Sequence, residues 1–302
     1  MHPTEEKSIA SLVLGEQPAV RSALAKSDLF ASLQNRLNKV EIDGQEYYVA
    51  EGDTLLDEDQ LLVYAQQRQA REVALRAAEA ASGAGLGVTR LVGTTLEDQS
   101  RGLLGMVHDD KIVRWQPGFI LTYCVLRDTF PSEDQYRVVR ENMRLATEAW
   151  EETCGVSFEH IQDLDSSENV SPEGVIFTVR FLDARGEFIA AAFFPNDPVS
   201  RRKVLIDPSY FSTTFDRVGV LRHELGHVLG FRHEHIRSGA PPDCPDEDPT
   251  GVFDLTKYDP RSVMHYFCGN LGSRELAITE LDRTGSQKVY GPPLSSFELI
   301  GA

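Results

Sequence analysis

The stretch His223-Glu224-Leu225-Gly226-His227-Val228-Leu229-Gly230-Phe231-Arg232-His233-Glu234 decides the reading of this chain. On a helix, His223 and His227 lie four residues apart, so their rings stack on one face within reach of a single metal ion. Glu224 follows the first of them and stands close to a metal-bound water without being a ligand. Gly230 accepts a left-handed backbone, which ends the helix and turns the chain back. His233 then supplies a third imidazole from outside the helix. Three neutral nitrogens leave the fourth tetrahedral position of a zinc ion open, the arrangement of a catalytic site. At the low histidine content of this chain, His-Glu-x-x-His arises by chance in roughly one sequence in a hundred, and the added Gly and His cut that to about one in a hundred thousand. The plain alternative, an amphipathic helix with solvated surface histidines, is correspondingly weak.

Composition bounds the rest. A chain of 302 residues with 41% hydrophobic content can bury one large core or two modest ones. The net charge of −17 argues against a nucleic-acid partner, which needs clustered Lys and Arg, and against an anionic membrane surface. No apolar run is long enough to span a bilayer. The start, Met1-His2-Pro3-Thr4-Glu5-Glu6-Lys7, has neither the basic region nor the apolar core of a signal peptide. The expectation is nevertheless a secreted or extracellular protein, by a removed signal or another route, with an intracellular one as the alternative. Cys124, Cys154, Cys244 and Cys268 allow two bridges in three connectivities. A Cys244–Cys268 bridge would brace the floor of the site; four buried thiols are the alternative.

Along the chain, residues 1–38 read as helical, with Leu29, Phe30, Leu33 and Leu37 at helical spacing. In residues 40–49, Asp43-Gly44 between alternating apolar residues predicts a hairpin. A long helix follows from Asp57 to about Ala81, and Ser82-Gly83-Ala84-Gly85 opens a small-residue linker. Beyond Trp115, strands are expected at 119–126, 156–158, 175–179, 188–194 and 204–207. Ser132 caps a helix that faces Val138, Met143, Ala146 and Trp150 inward, and Thr214 or Asp216 caps the histidine helix. A late helix runs from about Thr279 to Val289. The acidic, proline-stiffened loop 241–249 could hold calcium through its carboxylates, although a solvated loop is the simpler reading. The alternation predicts an α+β (or α/β) fold with a twisted mixed sheet and the active-site helix beneath it.

Downstream stands Tyr258-Asp259-Pro260-Arg261-Ser262-Val263-Met264-His265-Tyr266. With the zinc motif extended to Phe231 and Glu234, this resembles the astacin family of zinc endopeptidases, within the metzincins, whose histidine spacing it shares. The resemblance covers most of residues 110–291 and extends to Trp115–Tyr123 as a first strand and to Glu148–Cys154 as the end of a first long helix. It implies a metzincin-type catalytic domain that binds Zn2+ through His223, His227 and His233, with Glu224 as general base. It implies Met264 as the Met-turn beneath the imidazoles. Tyr266 would be a mobile fifth ligand that swings aside to hydrogen-bond the oxyanion, and Glu234 the partner of a mature amino terminus. The family closes its domain with Tyr-x-Cys, which pairs with the cysteine after the helix; here Tyr290-Gly291-Pro292 has none. Ala192-Phe193-Phe194-Pro195 is more like the substrate-binding edge strand of the matrixins, so a peptide substrate is expected along residues 188–194, at Ala190, Ala191 and Ala192.

The same resemblance reaches the first third of the chain. Astacin prosegments carry Phe-x-Gly-Asp, whose aspartate fills the open zinc position; Ala50-Glu51-Gly52-Asp53 is similar, with Ala50 in place of the phenylalanine. Asp53 is therefore a candidate ligand of the latent form, the plain alternative being a turn after the hairpin. The expected organisation is a prosegment-like domain over 1–105 and a protease domain over 106–302. The expected function is a zinc endopeptidase made latent, acting on protein or peptide substrates and released by an activating protease that cuts within 84–113. Two alternatives stand beside it: a matrixin-like metzincin with a non-inhibitory N-terminal domain, and an inactive protease scaffold used for binding.

Overall fold

In the computed structural model, residues 27–83, 103–108, 111–236, 244 and 251–294 are described. Expectations for residues 1–26 and for most of the 241–249 loop, calcium included, lie outside them.

The first unit begins with helix α1 (Asp28–Arg36), whose preceding Ser27 Oγ accepts the Phe30 N–H. Strands β1 (Lys39–Ile42) and β2 (Gln45–Ala50) form the expected hairpin. Asp43 and Gly44 turn it with φ of 54° and 78°, the paired left-handed residues that match the twist of the strands. Strand β3 (Thr54–Leu56) adds to β2. Helix α2 (Glu58–Gly83) opens with a reciprocal cap, in which Gln60 N–H donates to Asp57 Oδ1 and Asp57 N–H to Gln60 Oε1.

The alternation of β2 decides how this unit docks. Tyr48 faces α1 and α2, where Phe30, Leu33, Leu61, Leu62 and Ala65 close a small core. Tyr47 and Val49 point the other way and, with Val40 and Ile42, pack on Ala184, Phe188, Ala191 and Leu205 of the main body. Ion pairs frame this apolar seam. Asp43 takes Arg180 and Lys203, each at 2.8 Å, and Asp57 takes Arg201 at 3.2 Å.

The main sheet has the order β7 (Ser157–His160), β6 (Ile120–Val125), β8 (Phe177–Phe181), β10 (Lys203–Ile206), β9 (Ala190–Ala191). All pairings are parallel except β9, which lies antiparallel at the edge. The expected strand 188–194 is thus only two residues long. Beyond it the chain turns, where the Phe194 N–H donates to Asp197 Oδ2 at 2.8 Å. A second sheet was not anticipated from the sequence: β4 (Leu104–His108) is flanked by β11 (Phe231–Arg232) and β12 (Val252–Asp254), and pairs with β5 (Lys111–Ile112). These strands are two to five residues long, and β4 carries an internal glycine, so they lack a readable period. β4 runs across residue 105, and Leu103 beside it lies in the main core.

Two helices cross the core. Helix α3 (Glu133–Glu151) starts at Ser132, as expected. Its buried stripe is Tyr136, Val139, Met143, Ala146 and Trp150, so Val139 rather than Val138 faces inward. The 139, 143, 146, 150 spacing keeps one face where 138 would rotate off it. Helix α4 (Arg217–Val228) begins at Asp216, whose Oδ1 accepts the Gly219 N–H. Trp150 joins the two: its indole N–H donates to Arg222 O at 2.8 Å, and its ring stacks 5.6 Å from Phe231. Because Trp150 is fully buried, Trp150→Ala should cost about 3–5 kcal/mol of stability, read from urea unfolding. Helix α5 (Glu280–Tyr290) opens with a Thr279–Asp282 capping box.

Cys244 and Cys268 are bridged, as one of the readings had it, while Cys124 and Cys154 stay buried as thiols. Burial pushes both thiols up to about 12.

Docking of the first unit should respond to acid. Burial of Asp43 raises its pKa, but hydrogen bonds from Arg180 and Lys203 outweigh this and hold the carboxyl below its ordinary 3.8. Lys203 is itself lowered, because its own burial outweighs the pull of Asp43. A carboxyl depressed in the folded state contributes stability that is present above its unfolded pKa and is lost as pH falls through the folded one. The difference in urea midpoint between wild type and Asp43→Asn should therefore shrink as pH falls below about 4. A gap that stays constant between neutral and acid pH would exclude the ion pair as its source.

Candidate metal centre

Helix α4 presents His223 and His227 one turn apart. Gly230, with φ of 91°, then reverses the chain; a Cβ there would lie 2.5 Å from Val113 O, so both conformation and space require glycine. The reversal brings His233 back beside the helix. His223 Nδ1 lies 2.7 Å from Val263 O and His227 Nδ1 2.8 Å from Phe231 O. Each Nδ1 therefore carries the proton and donates, which leaves the Nε2 lone pair aimed at the centre.

The fourth corner comes from the first unit. Between β2 and β3, Glu51 and Gly52 both take left-handed conformations, φ 54° and 87°. For a non-glycine residue such as Glu51 this costs on the order of 1–3 kcal/mol. Two contacts hold it: Arg232 Nη2 donates to Glu51 Oε2 at 2.6 Å, and the Tyr266 hydroxyl donates to Glu51 O at 2.8 Å. A Cβ on Gly52 would sit 2.6 Å from that hydroxyl. The turn delivers Asp53, only 6% exposed, onto the three imidazoles.

Asp53 Oδ2 lies 3.4, 3.7 and 3.3 Å from Nε2 of His223, His227 and His233, and the last two nitrogens are 3.1 Å apart. A tetrahedron with bonds of about 2.0–2.1 Å to zinc has edges of about 3.3–3.4 Å. The donors thus stand at the corners of a zinc-sized cage. His223 Nε2 and Asp53 Oδ1 are buried with no hydrogen-bond partner, which fits a cation at the centre and leaves the cage poorly explained without one. Among the described residues this is the group of His, Cys, Asp and Glu that could hold a metal ion.

The remaining expected residues surround the cage. Glu224 is buried beside it, with Oε2 unpartnered. Burial first, and the Asp53 charge second, push its carboxyl well above the ordinary range. Met264 lies under α4, where a Cβ on Gly226 would meet its sulfur at 2.3 Å. Its turn is fastened by Asp282, which accepts from Ser262 Oγ at 2.5 Å and from the Val263 N–H at 2.9 Å. Tyr266 is not among the converging donors; its ring lies 4.4 Å from His233 and 4.7 Å from His235, with the hydroxyl on Glu51. Glu234, fully buried, accepts the Asp259 N–H at 2.9 Å. Ala190 and Ala191 form β9, and Ala192 follows at the same edge. A cavity of about 520 Å³ opens beside Glu224, lined by Phe188, Ile189, Val220, His223 and Leu276.

Sequence reasoning missed Arg232 and Asp282. Arg232 had a signal, the one Lys or Arg within residues 223–234, and Asp282 had one in its place three residues after Thr279.

The matrixin family model matches residues 114–240. Human matrix metalloproteinase-16 is 24% identical over 170 residues, 51% of this chain and 24% of that protein, and the rat and mouse proteins of that name match equally. This chain therefore spans about a quarter of the length of those relatives. A solved structure of myroilysin is 16% identical with a TM-score of 0.43, over 62% of this chain and 98% of that one. The family match is to matrixins, so what it shares with the astacin resemblance is the wider group. The matched segment carries the three converging histidines, and over it this chain is similar to the matrixins.

Proposed function

We propose that the chain is a zinc-dependent endopeptidase in its latent form, with residues up to about 105 as an astacin-like prosegment and Asp53 as its plug. The observation that carries this is the cage: Asp53 from the first unit takes the corner that catalysis needs open. Its charge adds to burial in raising the Glu224 carboxyl.

A zinc ion bound here supplies a Lewis acid and makes a nearby water more acidic. The remaining steps belong to the chain. With Asp53 gone, Glu224 loses the neighbouring negative charge and can accept the water's proton, then return it to the leaving amine. The Tyr266 hydroxyl, which here donates to Glu51 O, would turn after the cut to donate to the oxyanion that develops on the attacked carbonyl, in a site dry enough for one donor to matter. The edge strand β9 offers its outer backbone to an extended peptide. Glu234, already buried and bonded to the Asp259 N–H, would accept the new amino terminus after the cut.

The substrates are proteins or peptides, and an activating protease cuts between the two units. Export is part of the same proposal; among the described residues no helix is long and apolar enough to cross a membrane. The test is zinc content together with cleavage of a generic unfolded protein, before and after limited trypsin. Cleavage that never appears, or that survives a chelator, rejects the reading.

A further inference from the structure

We infer that Arg232 is a specificity-determining residue that selects an acidic side chain in the substrate close to the scissile bond, and that Glu51 occupies its place in the latent chain. The inference rests on the peptidase reading above and deepens it.

Three observations carry it. First, Arg232 stands at the metal cage. It directly precedes the ligand His233, and its guanidinium lies over the Phe194 ring at 5.8 Å, while Phe194 packs edge-on against His227 at 5.2 Å. Second, a carboxylate from the segment that fills the cleft sits on Arg232. Glu51 is two residues before Asp53, its side chain is 2% exposed, and it meets Arg232 at 2.6 Å. Glu51 holds this place within the same left-handed turn that delivers Asp53. Third, the two ends of the edge segment differ in chemistry. Phe188, Ile189 and Ala190 border the apolar cavity beside Glu224. Ala192 to Phe194 border a separate cavity of about 290 Å³ that contains both Arg232 and Glu51.

A peptide laid along residues 188–194 therefore passes an apolar pocket at one end and a guanidinium at the other. When the prosegment leaves, the Arg232 Nη2 that now donates to Glu51 faces the path of the substrate. A charged donor over an aromatic face, in a largely buried position, prefers a carboxylate to its amide twin by about 10–100-fold.

The test uses the full chain nicked by limited trypsin and loaded with zinc. A decapeptide scaffold of Ala, Leu and Phe carries Glu, Gln or Lys at each position in turn. Wild type should cut the Glu peptides over their Gln twins by about tenfold or more, at one register relative to the cut bond. In Arg232→Gln that ratio should fall to about one, and in Arg232→Glu it should invert toward Lys. Peptide binding is read in parallel by fluorescence anisotropy in a Glu224→Gln background, where no turnover is needed. Binding that favours Glu in a chain that cuts nothing keeps the subsite and overturns the peptidase reading. Equal handling of Glu and Gln by wild type in both assays, or a preference that survives Arg232→Gln, overturns the subsite.

Discussion

Asp53→Ala should raise the peptidase rate of the uncut chain by about 10²–10³-fold. The magnitude follows from losing the buried carboxylate at the fourth corner of a metal cage, taken as about 3–4 kcal/mol by analogy with removing one member of a buried charge pair, at 1.4 kcal/mol per tenfold change in the open fraction. Two effects act in the same direction. The fourth corner of the cage loses its oxygen, and Glu224 loses the neighbouring charge that, after burial, raises its pKa. Activation should stay below that of the cleaved chain, because Glu51 still holds Arg232 and the Tyr266 hydroxyl. Asp53→Asn keeps the shape but not the charge and should fall between the two. The measurement is the initial rate on an unfolded protein, with chain integrity followed on a gel. An unchanged rate in intact Asp53→Ala would remove Asp53 from its role as plug.

In the cleaved chain, Glu224→Gln should lower kcat by about 10²–10⁴-fold, the usual contribution of a positioned acid–base group. Its zinc content should not change. Glu224 lies beside the cage but is not one of the four donors that converge there, and the amide fills the same space. This separates it from His227→Ala, which removes a corner and should lose metal and activity together. Metal analysis alongside steady-state kinetics distinguishes the two. Glu224→Gln with near wild-type kcat would exclude Glu224 as the base.

The three converging histidines were legible because their spacing is local. A turn of helix puts His223 beside His227, and a single glycine puts His233 beside both, so three donors follow from eleven consecutive residues. The Asp43-Gly44 hairpin and the Ser132 cap were legible for the same reason, as was Asp216 as one of two candidate caps: each rests on one side chain or one φ angle within a few residues. The error of one residue at Val138 shows the limit. A helical stripe is read in phase only when its partner surface, here α4 with Trp150 between, is known. Strands β4, β5, β11 and β12 were beyond that limit, since segments of two to five residues are strands only through neighbours far away in sequence.

What this sequence determined by itself was a mixed α+β fold and a cluster of three histidines suited to zinc with a glutamate at its side, all encoded at short range. What the tertiary structure alone decided was the state of that site. The gap between Asp53 and His223 along the chain is crossed by packing Tyr47 and Val49 on Phe188 and Leu205, and by pairing Asp43 and Asp57 with Arg180, Lys203 and Arg201. The resemblance made Asp53 a candidate, but a Gly-Asp after a hairpin does not by itself say where its side chain lands. The docking of one sheet face on another does, because it fixes where the next turn must land, and here that turn places Asp53 on the metal cage and Glu51 on Arg232.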